Sequence, residues 1–192
     1  MIKLNGFMKK LLFLLPIFFS FYSCTSFKGF NQGNTPVNSL KQLEGTYKNT
    51  PKQTDKVKAY NAAADYLFYH IVDRKVLRKR YNPPPKKKHT FKLKVINDKK
   101  LLIAFFEDDK VVKRFKVKAR VKDDGYIYLK NKNLKITFLL LVNGIHHKKT
   151  RLFINQSQNL VVDVASKNIG FVGFAPFGTG HFKNRYIFEK ID

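Results

Sequence analysis

The chain contains a single cysteine, Cys24, among its 192 residues. With one cysteine, no intrachain disulfide and no Cys-x-x-Cys metal or redox motif can form. The content of 44% hydrophobic and 15% aromatic residues is enough for one sizeable core and too little for two. We therefore expect one domain that is held together by packing and hydrogen bonds.

Acidic residues are also scarce, with 13 Asp and Glu against 38 Lys and Arg, so that the formal net charge is +25. Clustered cations attract phosphate groups, and one interpretation is therefore a nucleic acid or an anionic surface as partner. The other interpretation is compositional, because Lys, Asn, Ile, Phe and Tyr are all plentiful and all have AT-rich codons. Composition alone leaves both interpretations open.

No apolar run is long enough to span a membrane. The run LLFLLPIFFSFY at 11–22 has twelve residues without a charge, and Pro16 lies inside it. A transmembrane helix needs about 20 apolar residues, and proline weakens a helix further. Because a methionine and two lysines at 8–10 precede the run, the start has the pattern of a signal peptide. We predict a signal peptide at 1–23, with Met8 as an alternative start.

Cys24 ends this run and follows Ser23, a small residue. The segment Phe21-Tyr22-Ser23-Cys24 resembles the lipobox of bacterial lipoproteins, whose cysteine is diacylated and becomes the mature N terminus. The resemblance implies a lipid anchor at Cys24, and Thr25 favours the outer membrane over the inner one. Two acyl chains hold a protein stably on a membrane. The alternative is a secreted protein in which Cys24 is a free thiol in an oxidising compartment.

The stretch TSFKGFNQGNTPV at 25–37 is rich in Gly, Asn, Ser and Thr and shows no periodicity. We interpret residues 24–38 as the acylated cysteine followed by a flexible tether. At roughly 3.3 Å per residue, an extended tether of this length reaches a few tens of ångströms. A single folded domain is predicted at 39–192.

Helices are predicted only near the start of this domain. Ser39 can cap one helical turn at 40–44. A longer helix is predicted to begin at Thr54 or Asp55 and to end before the three prolines at 83–85, because apolar residues recur at three- and four-residue spacings. The apolar residues on that face are Val57, Tyr60, Ala64, Leu67, Phe68 and Ile71.

The chain after Thr90 has the pattern of β-strands. Segment 114–122 is the clearest case, because apolar and basic residues alternate strictly and leave one face apolar and the other basic. Turn signals recur along the series, and Asn143-Gly144 is the strongest hairpin signal. About eight to ten short strands at regular spacing favour an antiparallel meander, and closure into a barrel would remove its unpaired edges. The predicted fold class is thus mainly β, with one helix inserted after the first strand.

The stretch LKQLEGTYKN at 40–49 carries Gly45-Thr46-Tyr47 after a short helical turn. This start resembles that of the calycin barrels, the lipocalins and fatty-acid-binding proteins, in which Gly-x-Trp opens the first strand. In that family an arginine of the last strand packs across the aromatic ring, and Arg185 stands in the corresponding place. The resemblance implies a lipocalin-like barrel in which Tyr47 and Arg185 form a structural pair.

Motifs for catalysis or metal binding are not found. The sequence has no nucleophile elbow, phosphate loop or paired-carboxylate signature. Adjacent residues of a strand point to opposite faces, so His146 and His147 are not expected to bind one ion together with a carboxylate such as Asp163. We expect neither an enzyme nor a metal or other cofactor.

Phe171, Phe174 and Phe177 lie among glycines in the stretch IGFVGFAPFGTG at 169–180. One interpretation is a glycine-relieved strand whose rings pack on the core. The other is an apolar lip at the mouth of the barrel, where a small apolar ligand enters or the bilayer is touched. The basic face of 114–122 likewise has two interpretations, a solvated exterior or a contact with anionic lipid headgroups.

These patterns predict a lipid-anchored cell-envelope lipoprotein whose β-barrel binds or carries a small apolar ligand. The alternative is an envelope structural or interaction module with a filled barrel and no ligand. The predicted partner is the membrane, through acylated Cys24, together with anionic headgroups or a small apolar ligand. Nucleic acid is disfavoured because the export signal sends the protein to a compartment that contains little of it.

Overall fold

The computed structural model describes residues 27, 29–30, 36–57, 68, 88–138, 142–172 and 175–192. In this part of the chain the fold is mainly β, with one antiparallel sheet of nine strands. The predicted mainly β, antiparallel fold is thereby confirmed. The strands are β1 (Gly45–Lys48), β2 (Gln53–Val57), β3 (His89–Asn97), β4 (Lys100–Glu107), β5 (Lys110–Val121), β6 (Ile127–Phe138), β7 (Val142–Ile154), β8 (Leu160–Val172) and β9 (Ala175–Phe188).

The sheet is a meander from β3 to β9, in which each strand is hydrogen-bonded to the next one in the chain. β1 lies outside β3, and β2 lies outside β9, so the strand order is β1-β3-β4-β5-β6-β7-β8-β9-β2. In this order the sheet is open, with β1 at one end and β2 at the other. The turn between β4 and β5 holds Asp108 and Asp109 at positive φ, a conformation that Asp tolerates better than most residues.

A 3-10 turn at Leu40–Leu43 precedes β1. Ser39 caps this turn, because its Oγ accepts a hydrogen bond from the N–H of Lys41 at 3.2 Å and Gln42 Oε1 accepts one from the N–H of Ser39. Both leucines of the turn are buried in the core. The predicted capped turn is therefore confirmed, in the tighter 3-10 form.

Gly45 begins β1 with φ of 150°, a conformation that side-chain-bearing residues rarely adopt. A Cβ at this position would lie 2.5 Å from Cε of Lys190. Glycine is therefore required both by the backbone and by the close approach of the C-terminal segment. It is the glycine of the Gly-x-Tyr motif.

The predicted helix after the first strand is wrong at its start. Residues 53–57 form β2 and pair with 183–187 of β9. Helical spacing is a weak signal that tertiary context overrides, and here the edge of β9 provides backbone partners for an extended segment. Phe68 is helical and fully buried. Residues 58–67 and 69–87 of this prediction lie outside the described residues.

The core lies on one face of the sheet and is built around aromatic rings. Phe68 stacks on Phe91 with ring centroids 4.1 Å apart, and Phe188 meets both rings edge-on at 5.4 and 5.5 Å. Tyr47 stacks on Phe91 at 5.3 Å, and its hydroxyl donates to the carbonyl of Leu43 at 3.0 Å. Burial raises the pKa of Tyr47, so its hydroxyl stays neutral. Pairs of this geometry contribute about 0.5–1.5 kcal/mol beyond their area burial.

β5 separates the core from an exposed basic face. Its inward residues Val117 and Ala119 are buried, whereas Lys116 and Lys118 between them are exposed. The predicted alternation in 114–122 is confirmed. We call the exposed cations of this segment the basic column, whose members are Arg114, Lys116, Lys118, Arg120 and Lys122.

Candidate functional site

The predicted site residues are only partly described. Cys24 and Phe174 lie outside the described residues. Phe171 is partly buried in β8, where it pairs with Pro176, and Phe177 follows in β9. The hairpin of β8 and β9 thus brings Phe171 and Phe177 to the same end of the sheet. The lipidation site and the barrel-mouth lip stay predictions.

Tyr47 and Arg185 have different described partners. The backbone of Tyr47 pairs with Phe91 of β3 on one side and with Lys190, five residues after Arg185, on the other. The ring of Tyr47 packs inside the core, on the face to which Phe188 of β9 also contributes. Arg185 is an odd number of residues from Phe188, so alternation directs it to the opposite face, where it contacts Asp163. The Tyr47–Arg185 pair stays a prediction.

Arg185 belongs instead to a buried charge cluster with Asp163 and Arg151. Arg185 Nε donates to Asp163 Oδ1 at 2.7 Å, and Arg185 Nη2 donates to Oδ2 at 3.0 Å. Arg151 Nε donates to the same Oδ2 at 2.8 Å. The side chain of Asp163 is 0% exposed, and those of Arg151 and Arg185 are 8% and 12% exposed. One carboxylate therefore accepts hydrogen bonds from two guanidinium groups.

The sheet register aligns the three residues of this cluster. Arg151 of β7 lies opposite Asp163 of β8, which lies opposite Arg185 of β9. Directly opposite residues project from the same face, so the three side chains form a cross-strand row. On the other side of β7, Tyr128 of β6 lies opposite Arg151, and Arg120 of β5 lies opposite Tyr128. The basic column thus joins this row at Arg120.

Aromatic rings cover both guanidinium groups. The guanidinium carbon of Arg151 lies 3.8 Å from the ring centroid of Tyr126 and 4.5 Å from that of Phe27. That of Arg185 lies 5.1 Å from the centroid of Phe30. A cation over an aromatic face contributes about 0.5–2 kcal/mol, more where water is excluded. Phe27 and Phe30, which the sequence predicts to be in the tether, therefore contact the outer face of the sheet.

Tyr128 extends this contact toward the basic column. Its ring lies 5.9 Å from that of Phe27, and Lys122 Nζ lies 4.2 Å from its centroid. The Tyr128 hydroxyl donates to Asp124 Oδ2 at 2.6 Å. Burial, together with this hydrogen bond, raises the pKa of Tyr128 to about 12. The hydroxyl therefore remains a proton donor at neutral pH.

Val37 also connects the predicted tether to the domain. Its N–H donates to the carbonyl of Gly125 at 2.9 Å, and its side chain is buried in the core. Gly125 has φ of 74°, and a Cβ there would lie 3.0 Å from Pro36, so glycine permits this close approach. The folded part of the chain therefore includes Val37, two residues before the predicted boundary at 39.

Sequence reasoning missed the charge cluster, although one signal for it was present. Asp163 is a single acidic residue within the apolar run LVVDVA at 160–165. A charge inside such a run is buried only when it is paired, so the run itself indicates a cationic partner. The identity of the partners, Arg151 and Arg185, depends on the register. Both carboxylate oxygens of Asp163, a metal ligand by residue type alone, accept hydrogen bonds from arginines.

Within the described ranges, no group of three or more His, Cys, Asp or Glu side chains could hold a metal ion. In the same ranges, no helix has both the length and the apolar character needed to cross a membrane. No protein-family model, curated protein or solved structure matches the chain.

Proposed function

We propose that this chain is a lipid-anchored cell-envelope protein that acts as an interaction module through its outer surface, with a filled barrel interior. The anchor of this proposal is the acylated Cys24, and the module is the β domain that follows. Of the two functions that the sequence pattern allows, the contacts in the core support the filled module rather than the carrier of an apolar ligand.

The observation that carries this proposal is the set of rings in the core. Phe68 lies between β2 and β3 in the sequence. Its ring contacts those of Phe91, Phe105 and Phe188, with ring centroids 4.1 to 6.3 Å apart. Phe68, Phe91 and Phe188 are all 0% exposed. A small-molecule site is a cavity of about 300–1,000 Å³ lined by apolar groups. The contacts between these buried rings support an interior that is filled by side chains rather than by a ligand.

Closure of the sheet into a barrel is part of this proposal. The segment from Thr46 to Val57 pairs with β3 on one side and approaches β9 and its continuation on the other. The N–H of Lys48 donates to the carbonyl of Glu189 at 3.0 Å, and the N–H of Ile191 donates to that of Thr46 at 2.8 Å. β1 and β2 would then be two parts of one bent strand, and closure would leave no unpaired edge for aggregation.

The resemblance of 21–24 to a lipobox supports the lipid anchor, and the first contacts with the domain indicate how close to it the anchor would lie. Phe27 lies three residues after Cys24, and its ring covers Arg151. A chain that begins at an acylated Cys24 would therefore meet its own domain almost at once. This arrangement suits a protein whose surface is used close to the membrane.

Metabolic labelling with a palmitate analogue tests the anchor. We expect label on the wild-type chain and none on a Cys24→Ala variant, with both variants expressed in a bacterium that processes lipoproteins. An unlabelled wild-type chain would contradict the anchor. Cys24→Ser serves as a second control, because serine keeps a small polar side chain but lacks the thiol that is acylated.

Native mass spectrometry of protein purified from its own membrane tests the filled interior. We expect the mass of the chain with its N-terminal acyl groups and no further lipid. A retained lipid in stoichiometric amount would contradict the filled module and favour the carrier. A Phe68→Ala variant that remains folded is a matched control, since it opens a cavity that could retain an apolar molecule.

A further inference from the structure

We propose that the basic column on β5 lies on the anionic headgroups of the bilayer that holds Cys24, and that the docking of Phe27 and Phe30 on the sheet sets this orientation. The inference rests on the proposed lipid anchor and adds the partner of the outer surface. It commits to one partner, an anionic lipid surface.

The geometry of the basic column allows its cations to contact a membrane surface together. Its five cations point to the same side of the sheet, and eight residues of extended chain separate the first from the last, a distance of about 26 Å. Within the described part of the chain, Arg114, Lys116, Lys118 and Arg120 form no ion pair. Arg151 and Arg185, by contrast, both form ion pairs with Asp163.

The neighbouring strands extend the column into a wider basic face. Leu102 of β4 lies between Lys94 of β3 and Lys116 of β5 in the register. Its chain neighbours Leu101 and Ile103 are buried in the core, so alternation directs Leu102 outward. Apolar side chains flanked by cations match the surface of an anionic bilayer, where headgroup phosphates lie above acyl chains.

The docked segment places the anchor beside this face. Phe27 is the third residue after Cys24, so the acylated residue lies within about 10 Å of Phe27 even if the link is fully extended. The ring of Phe27 lies 5.9 Å from that of Tyr128, and Tyr128 is directly opposite Arg120 of the column. Neighbouring strands are about 4.8 Å apart. The membrane that receives the acyl chains is therefore within reach of β5.

Proximity of the column to lipid can be measured on the full chain, purified with its acyl groups and reconstituted in lipid discs. A fluorophore on Leu102→Cys reports the basic face. A fluorophore on Val172→Cys is the matched probe, because Val172 is 53% exposed and lies far from the docked segment. It is nine residues beyond Asp163 along β8, and thus about 30 Å from the charge cluster that Phe27 and Phe30 cover. Spin-labelled headgroups in the discs quench whichever probe lies at the surface.

We expect the Leu102 probe to be quenched at least about threefold more than the Val172 probe in discs that contain phosphatidylglycerol. The difference should be smaller in phosphatidylcholine discs or at high salt, where the docked segment alone restricts the orientation. Each cation near the surface contributes about fivefold to binding, so Lys116→Gln with Lys118→Gln should shift the orientation about 25-fold toward the released state. Lys41→Gln with Lys52→Gln removes the same charge at exposed positions elsewhere and should change nothing.

The docking role has its own test. Phe27→Ala with Phe30→Ala should leave the protein anchored but bring the two probes to equal quenching, because the longer free link no longer restricts orientation. Unchanged quenching in this variant would overturn the role of docking.

Equal quenching of the two wild-type probes in anionic discs would overturn the lipid partner and favour an acidic protein partner for the face. This result differs from a failure of the anchor, in which the chain carries no palmitate label and does not stay in the discs. Thermal unfolding of each variant, monitored by circular dichroism, shows that the quenching changes come from folded protein.

Discussion

The sheet has two halves, one around β5 and one around β8, and they differ in whether their charged residues are exposed or buried. In β5 the cations Lys116 and Lys118 alternate with core residues and are exposed to solvent. In β8 the four residues from Leu160 to Asp163 are all buried, so both faces of the strand are covered. A charge on the second half must therefore have a partner, and Asp163 has two. The first half is a one-sided sheet and the second a two-sided one.

This difference shows how one sheet can hold a stable core and an available surface together. The covered half supplies the docking site for Phe27 and Phe30, where burial makes each polar contact specific. The exposed half leaves its cations solvated and ready for an anionic partner. The following substitutions test this contrast, beginning with the part of the core that both halves share.

Phe68→Ala should have the largest effect on stability. The ring is fully buried between Phe91 and Phe188, and its removal leaves a cavity beside both of them. Phe→Ala in a core costs about 3–5 kcal/mol, and we expect about 4 kcal/mol from denaturant unfolding. Val112→Ala, at a position that is 46% exposed, is the control and should change the free energy of unfolding by less than about 0.5 kcal/mol.

Asp163→Asn should have the next largest effect. The change removes the carboxylate that Arg151 and Arg185 share, and breaking a buried pair in this way costs about 3–5 kcal/mol. We expect a loss near the lower end of that range, about 3 kcal/mol, since the amide oxygen still accepts a hydrogen bond. Replacing all three residues, by Arg151→Met, Asp163→Leu and Arg185→Met, should recover most of this loss. A triple variant less stable than Asp163→Asn would contradict the electrostatic explanation.

Asp192→Asn should have a smaller effect that depends on pH. The N–H of Thr46 and its hydroxyl, at 2.8 Å, both donate to the Asp192 carboxylate, and these hydrogen bonds hold the pKa of Asp192 below its usual range. The stabilisation is present above the unfolded pKa of about 3.9 and is lost as the pH falls through the folded value. The group is exposed, so we expect no more than about 1 kcal/mol at pH 7.

Unfolding of the wild type and Asp192→Asn across this pH range checks the sign. The difference between the two proteins should shrink as the pH falls below about 4. A difference that stays constant through the acid range would show that the substitution removes packing rather than a charged hydrogen bond.

Lys116→Met should have the smallest effect on folding. Lys116 is exposed on the one-sided half, and surface substitutions usually change stability by less than about 0.5 kcal/mol. The same change at the covered half, Arg151→Met, removes a charged hydrogen bond to Asp163 and should cost about 1.5–3 kcal/mol. Equal losses in the two variants would remove the contrast between the halves.

Prediction from sequence succeeded where one face of a segment meets solvent. The strict alternation of 114–122 predicts both the inward Val117 and the outward Lys116, and both are observed. The cap at Ser39 is equally local, because its partners Lys41 and Gln42 are within three residues. In such segments the order of the residues determines which side chains face solvent and which neighbours they contact.

Prediction failed where distant segments provide the partners. Thr54 and Asp55 fit a helix start by local chemistry, yet they lie in β2 because β9 offers a strand edge more than a hundred residues later. Asp163 likewise gives no local sign of its partners, which the register supplies from β7 and β9 as Arg151 and Arg185. Local spacing carries no information about either pairing.

The amino-acid sequence by itself determined the mainly β class, the alternation of β5 and the scarcity of acids that makes the surface basic. Each follows from short-range periodicity or from composition. Only the tertiary structure decided that Arg151, Asp163 and Arg185 form one buried row and that Phe27 and Phe30 cover it. The physical reason is that a cross-strand row depends on register between strands, and the free energy of burial selects that register over the whole sheet.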